Sequence, residues 1–137
     1  MNYVVVTAAR NEETFIRLTA DALVAQTKRP LRWIVVDDKA QSVAAWLRMG
    51  DPADPPVAVV CNFTPEPRRG YRIGLPAAGR WREVFNSDGR EYGGSGLGNL
   101  GAVTASEIPS HGYPASAELT LPPLSTLYLQ IDAGSRK

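Results

Sequence analysis

Polar side chains follow two apolar runs near the start of the sequence, and they could bind a small ligand. Arg10 and Asn11 come shortly after Tyr3–Val6, and Asp37 and Asp38 end a second run. In open α/β sheets, ligands bind outside the carboxyl ends of the strands, so recognition of a base and a ribose is a chemistry that these ends could perform. The alternative is that the two aspartates only end a strand and start a turn.

Aromatic side chains are the second group with chemical potential, because pyranose faces pack against aromatic rings. Trp46, Trp81, Tyr92 and Tyr113 could form such a sugar-stacking platform. β-Sandwiches more often bury residues of this kind in the core. If the chain has a surface sugar site, we expect it at Tyr92 or Tyr113.

Four further motifs favour structural roles. The stretch Gly96–Gly101 fits G-x-G-x-x-G, but it follows a polar turn and does not open a helix, so we interpret it as a loop that needs positive φ angles. His111 lacks a nucleophilic partner in a recognisable context, and we expect it to form a hydrogen bond in a loop. Asn62 begins a glycosylation sequon, but it lies in a predicted buried strand. Cys61 is the only cysteine, so no internal disulfide can form.

Composition excludes several classes of function. The 137 residues carry 15 basic and 14 acidic side chains, a net charge of +1, without a basic cluster. We therefore expect no nucleic acid and no membrane as partners. One cysteine and one histidine can hardly supply a metal site, and nothing indicates a cofactor. The single cysteine and the absence of a basic, apolar leader predict a cytoplasmic protein.

The first part of the chain has the pattern of a β-α-β unit over residues 1–38. Tyr3–Val6 and Leu31–Asp38 are apolar runs typical of strands covered on both faces. Between them, apolar residues recur at helical spacing over Glu12–Lys28, with Asn11 as a cap and Pro30 as a stop. Glu12 and Glu13 occupy the positive end of the helix dipole, so a phosphate site is not expected there.

The remainder, residues 39–137, has short apolar strands separated by Pro and Gly turns at roughly ten-residue spacing, which is typical of an antiparallel sandwich. The predicted fold class is therefore α+β, an antiparallel β-sandwich with an N-terminal β-α-β unit. The predicted strands are Ser42–Arg48, Val57–Phe63, Tyr71–Leu75, Trp81–Asn86, Val103–Ile108, Ala117–Leu121 and Thr126–Ile131.

The segments Val5–Glu13, Ala25–Thr27 and Ile34–Asp38 resemble the start of family 2 glycosyltransferases, which use nucleotide sugars. This resemblance implies nucleoside contacts by Arg10, Asn11, Asp37 and Asp38. The metal-binding Asp-x-Asp pair of that family does not occur in these 137 residues, so the resemblance implies no metal site here.

The larger part of the chain resembles the C-terminal all-β domain of bacterial glycogen branching enzymes, over about residues 39–131. The sequence segments that carry this resemblance are Ser42–Arg48, Val59–Pro65, Gly70–Pro76, Gly79–Glu83, Asn86–Asp88, Tyr92–Asn99 and Leu121–Leu124. In that family the catalytic carboxylates lie on a barrel that these residues do not include. The resemblance therefore implies no catalytic residue in this chain. For a surface sugar site at Tyr92 or Tyr113, it implies an α-glucan as the ligand.

Two functional hypotheses follow from these resemblances. The first is a non-catalytic accessory β-domain of a glycogen branching enzyme, structural or weakly glucan-binding, in a chain that alone is not expected to be an enzyme. The alternative is a glycosyltransferase fragment that binds a nucleotide sugar through its N-terminal unit. In either case each half has surfaces that evolved to be covered, and these could pair with a second copy to form a homo-oligomer or dock on each other within one chain.

Overall fold

The structure, a computed structural model, describes residues 35–38, 40–50, 53–132 and 134. Its strands are β1 Val35–Asp38, β2 Val43–Arg48, β3 Val57–Asn62, β4 Arg68–Leu75, β5 Gly79–Asn86, β6 Ala102–Ala105, β7 Ala115–Leu121 and β8 Ser125–Ile131, with a 3-10 turn at Arg90–Tyr92. The predicted helix Glu12–Lys28 and strand Tyr3–Val6 lie outside the described residues. The described part contains no helix long and apolar enough to span a membrane.

The strands form two antiparallel sheets around one core. Six strands pair in the order β1-β2-β3-β8-β5-β6, and β4 pairs with β7. Inward residues alternate along β2 and β8, as a strand with one core-facing side requires. The core combines side chains of both sheets, among them Leu47, Ile73, Leu75, Trp81, Leu119, Leu127 and Leu129. The predicted mainly antiparallel β-sheet is confirmed.

The seven strands predicted after residue 41 are all present, with shifted ends. Strand β4 begins at Arg68 instead of Tyr71, and β6, which was predicted to reach Ile108, ends at Ala105. The next residue, Ser106, leaves β5 and forms an isolated bridge with Ser116 in β7, exchanging backbone hydrogen bonds of 2.9 and 3.0 Å. The chain thus crosses between the sheets there, which ends the strand.

Strand β1 pairs antiparallel with β2, from Val35 opposite Trp46 to Asp38 opposite Val43. The sequence predicts this segment as the second strand of a β-α-β unit, parallel to Tyr3–Val6. That pairing lies outside the described residues and stays a prediction, whereas the hairpin β1-β2 shows that the antiparallel sheet already includes Val35–Asp38.

Trp81, one of the candidate sugar-stacking residues, belongs to the core. Its side chain is 0% exposed, and its indole N–H donates to the carbonyl of Ala77 at 3.1 Å. Burial with the polar atom satisfied is the arrangement that a core tryptophan needs. Trp81 is therefore unavailable for sugar stacking.

Candidate functional site

Tyr92 lies in the long connection between β5 and β6 and is the most exposed aromatic side chain of the described residues, at 62%. The 3-10 turn Arg90–Tyr92 holds it, with the Tyr92 N–H donating to Gly89 at 3.0 Å. Gly93 ends the turn at a φ of 80°, a left-handed conformation that favours glycine. The turn therefore presents Tyr92 outward on a defined backbone.

A bulge in β5 places a second ring beside Tyr92. Glu83 pairs with Leu129 and Phe85 with Tyr128, so Val84 is an extra residue that shifts the alternation of the strand. Residues opposite each other in an antiparallel pair share a face, and Tyr128 alternates with the fully buried Leu127 and Leu129. The bulge thus turns Phe85 away from the core.

The rings of Tyr92, Phe85 and Tyr128 follow one another, and we call them the aromatic corner. The centroids of Tyr92 and Phe85 are 5.5 Å apart with planes tilted by 51°. Those of Phe85 and Tyr128 are 4.9 Å apart with a tilt of 43°. These tilted contacts are favourable for aromatic pairs, and they form a stepped apolar surface with Tyr92 at its exposed end.

The carboxylate of Asp88, which precedes Tyr92 in the connection, bonds to the residues that follow Tyr92. Its Oδ1 accepts from the Ser95 N–H at 3.1 Å, and its Oδ2 accepts from the Ser95 hydroxyl at 2.5 Å and the Leu97 N–H at 3.2 Å. The Asp88 carbonyl also accepts from the Gly96 N–H at 2.8 Å. These bonds, that of the Ser95 hydroxyl first, hold the pKa of the Asp88 carboxyl below its ordinary value of 3.8. The carboxylate is therefore ionised, and the closure intact, at neutral pH.

A second set of hydrogen bonds fastens the far end of the connection to both sheets. Glu83 Oε2 accepts from the backbone N–H and the side-chain amide of Asn99, at 3.1 and 2.7 Å. The same Asn99 amide donates to Thr120 in β7 and accepts from its N–H. Asn86 bonds Glu83 and the carbonyl of Leu97. The predicted glycine-rich loop is confirmed, with Gly96 and Gly101 at φ angles of 80° and 88°.

Tyr113 lies in a different setting. It is half-buried against the core, in a tight turn where Ser110 and Tyr113 exchange backbone hydrogen bonds. It lines a cleft with Ile73, Gly74 and His111 whose volume of about 20 Å³ suits one water molecule. The predicted hydrogen bond of His111 is confirmed, because its Nδ1 accepts from the Gly74 N–H at 3.1 Å. Tyr113 belongs to this cleft, whereas Tyr92 belongs to the aromatic corner.

Asp38 bonds to residues of the sandwich itself. Its Oδ2 accepts from the Tyr71 hydroxyl and its Oδ1 from the Gln41 N–H, both at 3.1 Å. Burial, together with the negative charge of Asp38, raises the pKa of Tyr71 to about 12. Asp37 pairs with Ala44 in the β1-β2 hairpin. Arg10 and Asn11 lie outside the described residues, so the nucleoside site stays a prediction.

The other polar candidates serve the framework. Asn62 is 1% exposed and donates to the carbonyls of Glu66 and Pro122, so its amide is not presented to solvent. Asp132 bonds Arg80 and Arg82, and Glu118 bonds Arg72. No group of His, Cys, Asp and Glu in the described part of the chain could hold a metal ion.

Four residues of this region escaped sequence reasoning: Phe85, Tyr128, Asp88 and Glu83. The bulge has no sequence signature here, so the pairing of Phe85 with Tyr128 could not be predicted from the sequence. For Asp88 the only signal is its place before a stretch rich in glycine and serine, since short polar side chains often close such loops on backbone N–H groups.

Comparison with known proteins gives a consistent result. A family described as "Alpha amylase, C-terminal all-beta domain" matches residues 33–132, which include all eight strands. Three similar proteins are each named 1,4-alpha-glucan branching enzyme GlgB. That of Burkholderia thailandensis is 60% identical over 72% of this chain, that of Cupriavidus necator 53% over 82%, and that of Rhodospirillum rubrum 56% over 73%. The matched segments are only 12%, 15% and 13% of those proteins' lengths.

Proposed function

Because the chain belongs to the family of alpha amylase C-terminal all-beta domains, we propose that it is the accessory β-domain of a 1,4-alpha-glucan branching enzyme. In that role it contributes to the formation of α-1,6 branches in glycogen without supplying catalytic groups. Retaining glycoside transfer needs two carboxyl groups facing one bond in a shaped cleft. Among the described carboxylates, Glu83, Asp88, Glu118 and Asp132 instead bond to loop or strand groups.

Within this role, Tyr92 supplies a weak binding site for α-glucan. The observation that carries this assignment is the exposure of Tyr92, at 62%, on a hydrogen-bonded loop with Phe85 behind it. An exposed, well-held ring can stack on a pyranose with little loss of conformational entropy. Tyr113 lacks this access, because it packs against the core in a cleft with room for one water molecule.

Affinity electrophoresis in gels that contain glycogen tests this function. We expect the purified chain to be retarded, with a Kd of about 1 mM, corresponding to about −4 kcal/mol, since one open platform encloses little of its ligand. Tyr92→Ala removes the aromatic face and should abolish retardation, whereas Tyr92→Phe keeps it. Leu100→Ala is the matched control, because Leu100 is an exposed apolar side chain of the same connection.

An iodine-stain assay on amylose tests the absence of catalysis. We expect no branching activity from the purified chain alone. Branching above the buffer background would contradict an accessory role. Equal retardation of Tyr92→Ala and the unaltered chain would show that the glucan site is not at Tyr92. It would not contradict the accessory role.

A further inference from the structure

The turn that carries Tyr92 has an apolar contact through the Tyr92 ring, which meets Phe85, but it contributes no side chain to the core. None of the residues of Arg90–Tyr92 is buried. A surface segment without buried apolar contacts opens easily unless hydrogen bonds close it. In this connection the bonds converge on Asp88, whose carboxylate and carbonyl together accept from Ser95, Gly96 and Leu97. Asp88 thereby joins the backbone on both sides of Tyr92, in addition to the bond from the Gly94 N–H to the Gly89 carbonyl and that from Asn86 to the Leu97 carbonyl.

We propose that Asp88 is the positioning residue of the Tyr92 site, so that glucan binding depends on a side chain that does not touch the glucan. This role rests on the proposed function of Tyr92. Asp88 joins Ser95 and Leu97 across a segment that contains Tyr92, and the closed segment keeps the Tyr92 ring 5.5 Å from the ring of Phe85. Without that closure, Tyr92 would have to be ordered by the ligand, and the entropy of ordering would weaken binding.

Two carboxylate oxygens are needed for this closure. Oδ1 takes the Ser95 N–H, and Oδ2 takes the Ser95 hydroxyl and the Leu97 N–H. Asp88→Asn retains one oxygen acceptor and replaces the other by a donor, so it should open the segment in part. Asp88→Ala removes both side-chain acceptors and should open it further, while the backbone bonds from Gly96 to Asp88 and from Gly94 to Gly89 remain. The graded series separates loss of acceptors from loss of side-chain volume.

Glu91 provides a matched control. Its side chain is exposed in the same turn and carries the same charge as Asp88, yet within the described residues its carboxylate accepts no hydrogen bond. Glu91→Ala therefore removes an equal charge near Tyr92 without opening the segment. An effect of Asp88→Ala that Glu91→Ala lacks belongs to the hydrogen bonds.

Limited trypsin digestion reports the opening directly, because Arg90 is a cleavage site within the turn. We expect cleavage after Arg90 to be about fivefold faster in Asp88→Ala, the population change that follows from losing about 1 kcal/mol of net hydrogen bonding. Asp88→Asn should lie between, and Glu91→Ala should match the unaltered chain in glycogen retardation. The thermal midpoint should change little, since the core is untouched. Unchanged cleavage in Asp88→Ala would overturn the role.

A double-mutant cycle on glycogen retardation then separates positioning from general stability. If Asp88 acts only through Tyr92, Asp88→Ala should weaken retardation in the unaltered chain and have no further effect beside Tyr92→Ala. Full retardation of Asp88→Ala, with Tyr92→Ala not retarded, would overturn the positioning role and leave the Tyr92 site standing. Retardation of Tyr92→Ala equal to that of the unaltered chain would overturn both.

Discussion

The two tyrosines that the sequence offers as sugar ligands, Tyr92 and Tyr113, both lie in turns that connect strands, but the structure gives them opposite settings. Tyr92 is held outward by hydrogen bonds, with Asp88 and Asn99 as anchors. Tyr113 packs inward against the core, in a turn that has hydrogen bonds of its own, between Ser110 and Tyr113 and from Gly74 to His111. The comparison teaches that hydrogen bonds hold a turn in either setting, and that the side chain is presented to solvent where the turn does not pack on the core.

Substitutions around the turn that carries Tyr113 should therefore lower the stability of the protein, and we expect the largest loss at Gly74. A Cβ at Gly74 would lie 2.0 Å from the Ser110 carbonyl oxygen, so Gly74→Ala must displace the turn that carries Tyr113. We expect the free energy of unfolding to fall by about 1–3 kcal/mol, as overpacking typically causes. Chemical denaturation measures it, with Gly134→Ala as the control, because a Cβ there meets open space. Equal stability of both variants would show that the turn is loosely held.

Replacing each tyrosine by alanine should affect different properties: stability at Tyr113 and glucan binding at Tyr92. Tyr113→Ala is expected to lower the free energy of unfolding by about 1–2 kcal/mol, less than the loss for a fully buried aromatic residue, because Tyr113 is half-buried. Tyr92→Ala should change it by less than about 0.5 kcal/mol, as exposed substitutions usually do. Thermal denaturation of both variants checks the contrast. A larger loss for Tyr92→Ala would mean that Tyr92 is a packing residue.

A small stabilising effect is expected at Leu100, near the end of the connection that carries Tyr92. Leu100 is 105% exposed and has a φ of 54°, so it buries no apolar surface and occupies a left-handed conformation. Asn adopts that conformation more readily, and Leu100→Asn should raise the free energy of unfolding by about 0.5–1 kcal/mol. Glycogen retardation should stay unchanged. Destabilisation would indicate a contact of Leu100 that its exposure does not suggest.

Much of this fold could be predicted, because turn residues at roughly ten-residue intervals determine where strands begin and end. The strands from Val43 to Ile131 and the positive φ angles near Gly96 followed from local sequence. The contrast between Tyr92 and Tyr113 did not, because it depends on partners distant in the chain. Phe85 faces Tyr128 only through a bulge, and Asp38 meets Tyr71 across 33 residues.

The sequence predicts an α-glucan site at Tyr92 or Tyr113 without distinguishing between the two. The segments Asn86–Asp88 and Tyr92–Asn99 are part of the family resemblance. Their role in closing the connection, however, is visible only from the hydrogen bonds that join Asp88 to Ser95 and Leu97. Short polar side chains can cap many turns, and the chain alone does not tell which backbone N–H groups they reach.

Titration of the isotopically labelled chain with maltoheptaose, followed by amide chemical shifts, tests the central claim most directly. The account predicts shift changes at Tyr92, Phe85 and the glycines between Gly93 and Gly101, with saturation in the millimolar range, and no change at Gly74, His111 or Tyr113. Shift changes centred on Gly74 and Tyr113, or none at any concentration that maltoheptaose allows, would contradict a glucan site at the aromatic corner.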